Sequence, residues 1–338
     1  MSGRVIHIVD STLRDGEQTP GICFPRAAKV RLALELVRMG VTEIEAGIPA
    51  MGPAACEDIR AVLDLGLPAR VTGWCRADLR DVDAASACGL KSVHIAFPLS
   101  DRQLRAFDKD LRWLRTCIRT VLPVARDLFE FVSVGAMDAS RVSFDRLLSF
   151  AEAVRPHRPD RLRLADTVGV WTPMAVREAF ACLGHAFPEL SLGFHGHNDL
   201  GMATANAYSA VEAGADSVDV TVNGLGDRAG NVPLAAFVMA LEHSRRWTSR
   251  VHPDGLQDLS EYVAELCGTP LPPDMPVVGG RVFDHEAGIH VRGLLRDRLS
   301  FQPYLPEQVG RETERFVAGP HNGNSARNHM TATVSSSF

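Results

Sequence analysis

Three times in this chain a helical stretch halts at a glycine and a strand-like run begins within three residues: Gly40-Val41-Thr42-Glu43-Ile44, Gly89-Leu90-Lys91-Ser92-Val93 and Gly214-Ala215-Asp216-Ser217-Val218. A recurring helix-Gly-strand junction is the mark of a repeated βα unit. Around these junctions eight short apolar, β-branched runs succeed one another: Val5-Val9, Glu43-Ala46, Arg70-Trp74, Ser92-Phe97, Leu128-Val134, Arg161-Ala165, Leu192-His197 and Ser217-Val222. The helix that begins near Arg26 carries Val30, Leu34 and Val37 at helical spacing and stops at Gly40. Parallel strands joined by right-handed crossovers form either a doubly wound sheet or a closed barrel, and eight units favour closure. The expected class is therefore α/β, a (β/α)8 TIM barrel. No GxGxxG comes after the first strand, which takes away the main support for a dinucleotide-binding sheet.

A chain of 338 residues suits one barrel of about 250 residues with an appendage. After Arg250 the pattern changes: His252-Pro253-Asp254-Gly255 opens a polar joint, a helix is predicted over Leu256 to Cys267, and Pro270, Pro272, Pro273 and Pro276 interrupt the chain beyond that helix. The division expected is a catalytic barrel at 1–250, a mainly helical C-terminal lid segment at 251–320, with Phe283-Leu295 as a further helix or lid, and a disordered tail at 321–338. The formal charge of −5 and the absence of a polybasic tract argue against nucleic acid or an anionic membrane as partner. The charged N-terminus has no apolar stretch fit for a signal or a membrane span, so a cytoplasmic address is expected. Seven cysteines without a CxxC pair fit neither a disulfide framework nor a thiolate zinc site. They read as buried thiols, with Cys75, near a strand end, placed beside the site.

Chemistry concentrates at two strand ends. His195-Gly196-His197 closes the seventh strand, and alternation puts both imidazoles on one face, at the rim where barrels carry their chemistry. The first strand runs into Asp10-Ser11-Thr12-Leu13-Arg14-Asp15-Gly16-Glu17-Gln18, a polar cluster expected to face the histidines. Two neutral imidazoles, a carboxylate and open positions suit a divalent ion such as Mg²⁺, Mn²⁺ or Zn²⁺.

The segments DSTLRDGEQTPG, GFHGHNDLGMATANAYSAVEAGADSVDVTVNGLGDRAGN and HEAGIH closely resemble the DRE-TIM metallolyases, and within them the homocitrate, isopropylmalate and citramalate synthases, from about residue 5 to 311. GIPAMG, WCRA, SVHIAFPLSD, ADTVGV and HEAGIHVRGLL look most like the nitrogenase-associated homocitrate synthases. The resemblance implies that Asp15, His195 and His197 bind the metal, with Asn231 a further oxygen ligand. It implies acetyl-CoA as co-substrate and a 2-oxo acid as acceptor, with Arg14 donating to the keto oxygen as it becomes an alkoxide. His290 would be the base that takes a methyl proton, supplied from the lid of a second subunit, which implies a homodimer and makes the C-terminal segment a dimerisation element as well. Thr167 and His94 match positions that bind the oxo acid, although His94 reads equally well as a packed residue; Gln18 joins the substrate contacts.

Three departures stand out. Met137 occupies a position where relatives usually carry Glu, a carboxylate that would pair with Arg14 or order the acetyl group. Phe301 stands where relatives commonly place Tyr, with Tyr304 a possible substitute. The later Gly-Lys-His-Ser-Gly becomes Gly319-Pro320-His321-Asn322-Gly323 shortly before the last residue, so a C-terminal regulatory domain with leucine feedback is not expected. 2-Oxoglutarate, giving homocitrate, is the first choice of acceptor. Phosphonopyruvate, giving 2-phosphonomethylmalate, is the alternative, with Arg76, Ser133 and Arg141 as candidate partners of the phosphonate although each also reads as an ordinary surface or strand-end residue. Isopropylmalate or citramalate synthesis, an acyl-CoA lyase on the same barrel, and a non-catalytic homologue complete the readings.

Overall fold

The computed structural model describes residues 3–320, so the tail expected at 321–338 lies outside the described residues. Eight parallel strands close into a barrel in chain order: β1 (His7–Asp10), β2 (Glu43–Gly47), β3 (Arg70–Arg76), β4 (Ser92–Pro98), β5 (Phe131–Met137), β6 (Arg161–Asp166), β7 (Leu192–Gly196) and β8 (Ser217–Val220). β8 returns to pair with β1, His7 opposite Ser217 and Asp10 opposite Val220. Helices α1 (Arg26–Arg38), α2 (Pro53–Leu63), α3 (Leu79–Ala87), α4 (Asp101–Ala106), α5 (Leu111–Leu128), α6 (Phe144–Val154), α7 (Pro173–Ala186), α8 (Ala203–Glu212) and α9 (Leu234–Ser244) alternate with the strands. The three junction glycines adopt left-handed angles, φ +95 at Gly40, +90 at Gly89 and +109 at Gly214, the conformation that stops a helix without steric cost.

Strand alternation sorts the side chains into two cores. The outward set, including Val93, Ile95 and Phe97 of β4, Val132 and Val134 of β5 and Phe194 of β7, is buried against the helices. There Phe97 meets Phe150 of α6 at 5.8 Å and Phe194 meets Phe180 of α7 at 6.1 Å. Burying each of these side chains contributes roughly 1.5–3 kcal/mol. The inward set is polar. Thr72 bonds Ser92 across β3 and β4 at 2.8 Å, and Glu43 receives both arms of Arg161 from the far wall at 3.1 and 2.7 Å. An ionic interior is tolerated where, as with Glu43 and Arg161, opposite charges meet.

Some boundaries differ from those expected. The first run is two elements, since Arg4–Val5 pairs with Trp247–Thr248 while only His7–Asp10 enters the barrel; Ile6, buried between them, donates its N–H to Thr248. Leu128 ends α5, and the fifth strand starts at Phe131. The chain divides into two compact units that meet at Val251 and His252. In the second, α10 (Leu256–Cys267) spans the residues predicted for it, and α11 (Gly288–Leu294) covers only the later part of the Phe283-Leu295 segment. Asp284–His285 is instead a short strand paired with Arg315–Phe316. No helix among the described residues is long and apolar enough to cross a membrane.

Candidate metal centre and active site

The carboxyl ends of β7 and β1 bring the two sequence clusters together. Asp15, His195 and His197 are buried, and one donor atom from each lies within 4.8 Å of the others. His195 Nε2 is 3.3 Å from His197 Nε2 and 3.3 Å from Asp15 Oδ2, and His197 Nε2 is 3.9 Å from the same oxygen. Local structure explains the convergence. His195 is held inward by β7, and its Nδ1 lies 3.0 Å from Asp219 Oδ2 of β8, a bond in which the imidazole donates and which, in the neutral ring, leaves Nε2 as a lone pair. His197 lies just past the strand, in an antiparallel bridge with Asn231. Asn231 donates its Nδ2 to the Leu225 carbonyl at 2.9 Å, which sets its amide oxygen free for the site.

Two imidazole nitrogens and a carboxylate oxygen pressed together, with Asp15 Oδ1 and His197 Nδ1 buried without partners, form a donor set that fits a divalent cation. Electrostatics agree. Burial opposes ionisation of Asp15, yet Arg14 and His195 hold its carboxyl well below the usual range. Burial and the neighbouring His195 push His197 down to about 4, so its ring is neutral at physiological pH.

Arg14, 7% exposed, is fixed by carboxylates on two sides: Nη1 donates to Asp15 Oδ2 at 2.8 Å and Nε to Glu45 Oε2 at 2.8 Å. Its guanidinium also lies 5.7 Å from the Trp74 ring. Glu45 is bonded by Ser11 Oγ at 2.7 Å and lies 2.7 Å from Arg163 Nη1, and Arg163 in turn contacts Asp219. Despite complete burial, Arg14 and Arg163 keep the Glu45 carboxyl far below its ordinary range. Glu45, Arg163, Asp219 and Trp74 were not singled out in the sequence. The signal was there in the alternation Glu43-Ile44-Glu45, Arg161-Leu162-Arg163 and Ser217-Val218-Asp219, charged or polar positions two apart within strands.

The remaining candidates divide. Thr167, half-buried, accepts the Asp138 N–H at 2.8 Å, so its own hydroxyl proton is free to donate to a ligand. His94 and Ser133 face each other inside the barrel, Nδ1 to Oγ 2.9 Å; burial and then Arg163 hold the imidazole neutral. Gln18 is exposed at the end of a short turn after Asp15. His290 lies on α11 of the second unit, its ring stacked on Phe301 at 4.4 Å; Tyr304 packs edge-on against Phe283 instead. Met137 ends β5, half-buried.

Arg76 and Arg141 each hold a carboxylate of their own, Arg76 with Nε and Nη2 on Asp81 at 2.9 and 2.8 Å, Arg141 with Nε and Nη2 on Asp138 at 2.7 Å, so the Nε–Nη2 edge of each guanidinium is taken. The expectation for Cys75 is corrected. Cys75 points outward: its Sγ donates to the Asp81 carbonyl at 3.5 Å and burial drives the thiol far above its usual range. The inward neighbour Trp74 takes the place at the site expected for it.

Residues 5–263 match the HMGL-like family model, and residues 277–336 match the homocitrate synthase post-HMGL domain-like model. The chain is 40% identical to 2-isopropylmalate synthase 2 of Caldanaerobacter subterraneus subsp. tengcongensis, over 95% of this chain and 83% of the relative. It is 40% identical to homocitrate synthase of Frankia alni, over 96% and 92%, and 41% identical to 2-phosphonomethylmalate synthase of Streptomyces rubellomurinus, over 93% and 84%. The crystal structure of hydroxymethylglutaryl-CoA lyase from Pseudomonas aeruginosa shares the fold, with a TM-score of 0.71 at 22% identity over 80% of this chain and 96% of that one.

Proposed function

The chain belongs to the HMGL-like family, and from that premise we propose that it joins the methyl carbon of acetyl-CoA to the keto carbon of a 2-oxo acid and then hydrolyses the thioester. Its relatives at 40–41% identity are named synthases, and it is an enzyme of that acyltransferase type. The observation that carries the reading is the convergence of Asp15, His195 and His197 at the barrel rim. With Asn231 they would hold a divalent cation, which supplies Lewis-acid polarisation of the acceptor's keto group.

The chain's own residues do the rest. Thr167 donates its free hydroxyl proton to the acceptor's carboxylate. Arg14, immobilised by Glu45 and Asp15, presents a permanent positive charge where the keto oxygen becomes an alkoxide, and needs no reorganisation to do so. His290, from a second copy of the chain, takes the methyl proton of acetyl-CoA, and the resulting enolate carbon forms the new bond. Water then cleaves the thioester to release free CoA and a carboxylate. The match of residues 277–336 to a homocitrate synthase segment supports synthase over lyase. Motif likeness puts 2-oxoglutarate first among acceptors, with phosphonopyruvate next by virtue of the Streptomyces relative.

The test is thiol release from acetyl-CoA by metal-loaded protein with 2-oxoglutarate, phosphonopyruvate, pyruvate, oxaloacetate and 2-oxoisovalerate. CoA should appear with at least one acceptor, and both chelation and His195→Ala should abolish it. Silence across the panel would favour a non-catalytic homologue, and turnover that survives chelation would contradict the assigned chemistry.

A further inference from the structure

The metal donors and Arg14 belong to one closed circuit of side chains. Asp15 Oδ2 takes Arg14 Nη1 at 2.8 Å; Arg14 Nε reaches Glu45 Oε2 at 2.8 Å; Glu45 Oε1 lies 2.7 Å from Arg163 Nη1. Arg163 Nη1 then contacts Asp219 Oδ2, the same oxygen receives His195 Nδ1 at 3.0 Å, and His195 Nε2 returns to Asp15 Oδ2 at 3.3 Å. The members come from β2, β6, β7, β8 and the loop after β1, and all are at most 7% exposed.

We propose that Arg163 is a positioning residue for this site: it stands between Glu45, which holds Arg14, and Asp219, which orients His195, so that one guanidinium sets both halves of the reaction centre. The inference rests on the metal-site reading given above. Arg163 lies between these groups and touches no donor atom of the proposed metal. It acts through a single nitrogen rather than a fork. The Glu45 contact at 2.7 Å is close but not aligned as a hydrogen bond, so Arg163 works chiefly as a buried point charge between two carboxylates. Without it, Asp219 would keep only His195, and Glu45 would keep Arg14 and Ser11.

A point-charge role makes a specific claim about substitutions. Lysine can place an ammonium between the same two carboxylates, whereas methionine fills similar volume without charge. Coulomb's law alone says that deleting a positive charge beside a cation site should tighten cation binding. Lost orientation of a histidine ligand instead weakens it, by about 10- to 100-fold when such outer partners are removed. The sign of the change therefore separates the two roles.

The experiment is calorimetric titration of Mn²⁺ into the full-length parent, Arg163→Met and Arg163→Lys, with folding of each checked by circular dichroism. Mn²⁺ affinity should fall at least about tenfold in Arg163→Met and stay within about threefold in Arg163→Lys. Unchanged or tighter binding in a folded Arg163→Met, or equal loss in the Lys variant, would overturn the proposal while leaving the metal site itself intact. A parent protein that gives no binding signal would overturn this proposal together with the function it rests on. Should Arg163→Met fail to fold, Arg163→Gln removes the charge while keeping a polar side chain between the two carboxylates. It carries the same expectation, and unchanged affinity there counts against the proposal.

Discussion

Met137 is the residue at which the site departs most from what its motif leads one to expect. A carboxylate there was expected to pair with Arg14 or to order the acetyl group, and Arg14 already has Glu45 and Asp15 within 2.8 Å. The role we propose for position 137 is contact with substrate, since it lies on the inward face of β5 two residues beyond Gly135 and next to the Asp138 that bonds Thr167. Gly135 itself leaves room for His94, whose Nε2 would come within 2.4 Å of any Cβ. The wall of β4 and β5 beside the site is therefore built of uncharged groups: a neutral imidazole, Ser133, Gly135 and a thioether. Met137→Glu should change kcat/KM by about tenfold for at least one acceptor and reorder the panel; identical values for every acceptor in steady-state assays would remove Met137 from the site. The sequence marked Asp15, Arg14 and both histidines because they sit together in polar runs at strand ends. Glu45, Arg163 and Asp219 escaped because polar positions two apart in a strand read as its solvent-facing side, and only closure of the barrel turns that face inward.

At the scale of elements, the strands were legible from apolar runs set between glycine stops, and their ends were less so. Leu128 illustrates the reason: it is apolar and adjoins Phe129, but the helix ends on it and Phe129 donates to the Ala125 carbonyl, so the run spans a helix end and a strand start. Cys75 was placed at the site and Trp74 was not, a one-residue error of the kind that flips a side chain across the sheet. Helix starts arise from local chemistry. Asp110 caps α5 by accepting the Trp113 N–H at 2.8 Å, and α5 needs that start because Pro123 in its interior removes a backbone donor. Asp110→Ala should cost about 1 kcal/mol, read as a lower urea midpoint with an unchanged slope. A midpoint indistinguishable from the parent's would show that packing alone holds the helix.

For the whole molecule, the question is what holds a barrel together whose interior is charged. Beneath the reaction centre, Glu43 collects Arg161 from the opposite wall, Arg70 at 2.8 Å, Thr72 at 3.1 Å and His7 at 2.9 Å, thereby tying three other strands to β2. Gly193 makes this possible, because a Cβ there would come within 2.9 Å of the Arg161 side chain. Burial opposes ionisation of Glu43, but Arg161 and His7 hold its carboxyl well below the ordinary range. A carboxyl whose folded value is depressed contributes its full stability above the unfolded value of about 4.3, and loses it as pH falls toward the folded value. Glu43→Gln leaves Arg161 buried without its counter-charge and should cost about 3–5 kcal/mol at pH 7. In urea unfolding from pH 8 to pH 3, the gap between parent and variant should stay level down to about pH 4.5 and then narrow, because only the parent loses an ion pair to protonation. A gap that is constant over the whole range would mean that the shape of Glu43, and not its charge, closes the barrel floor.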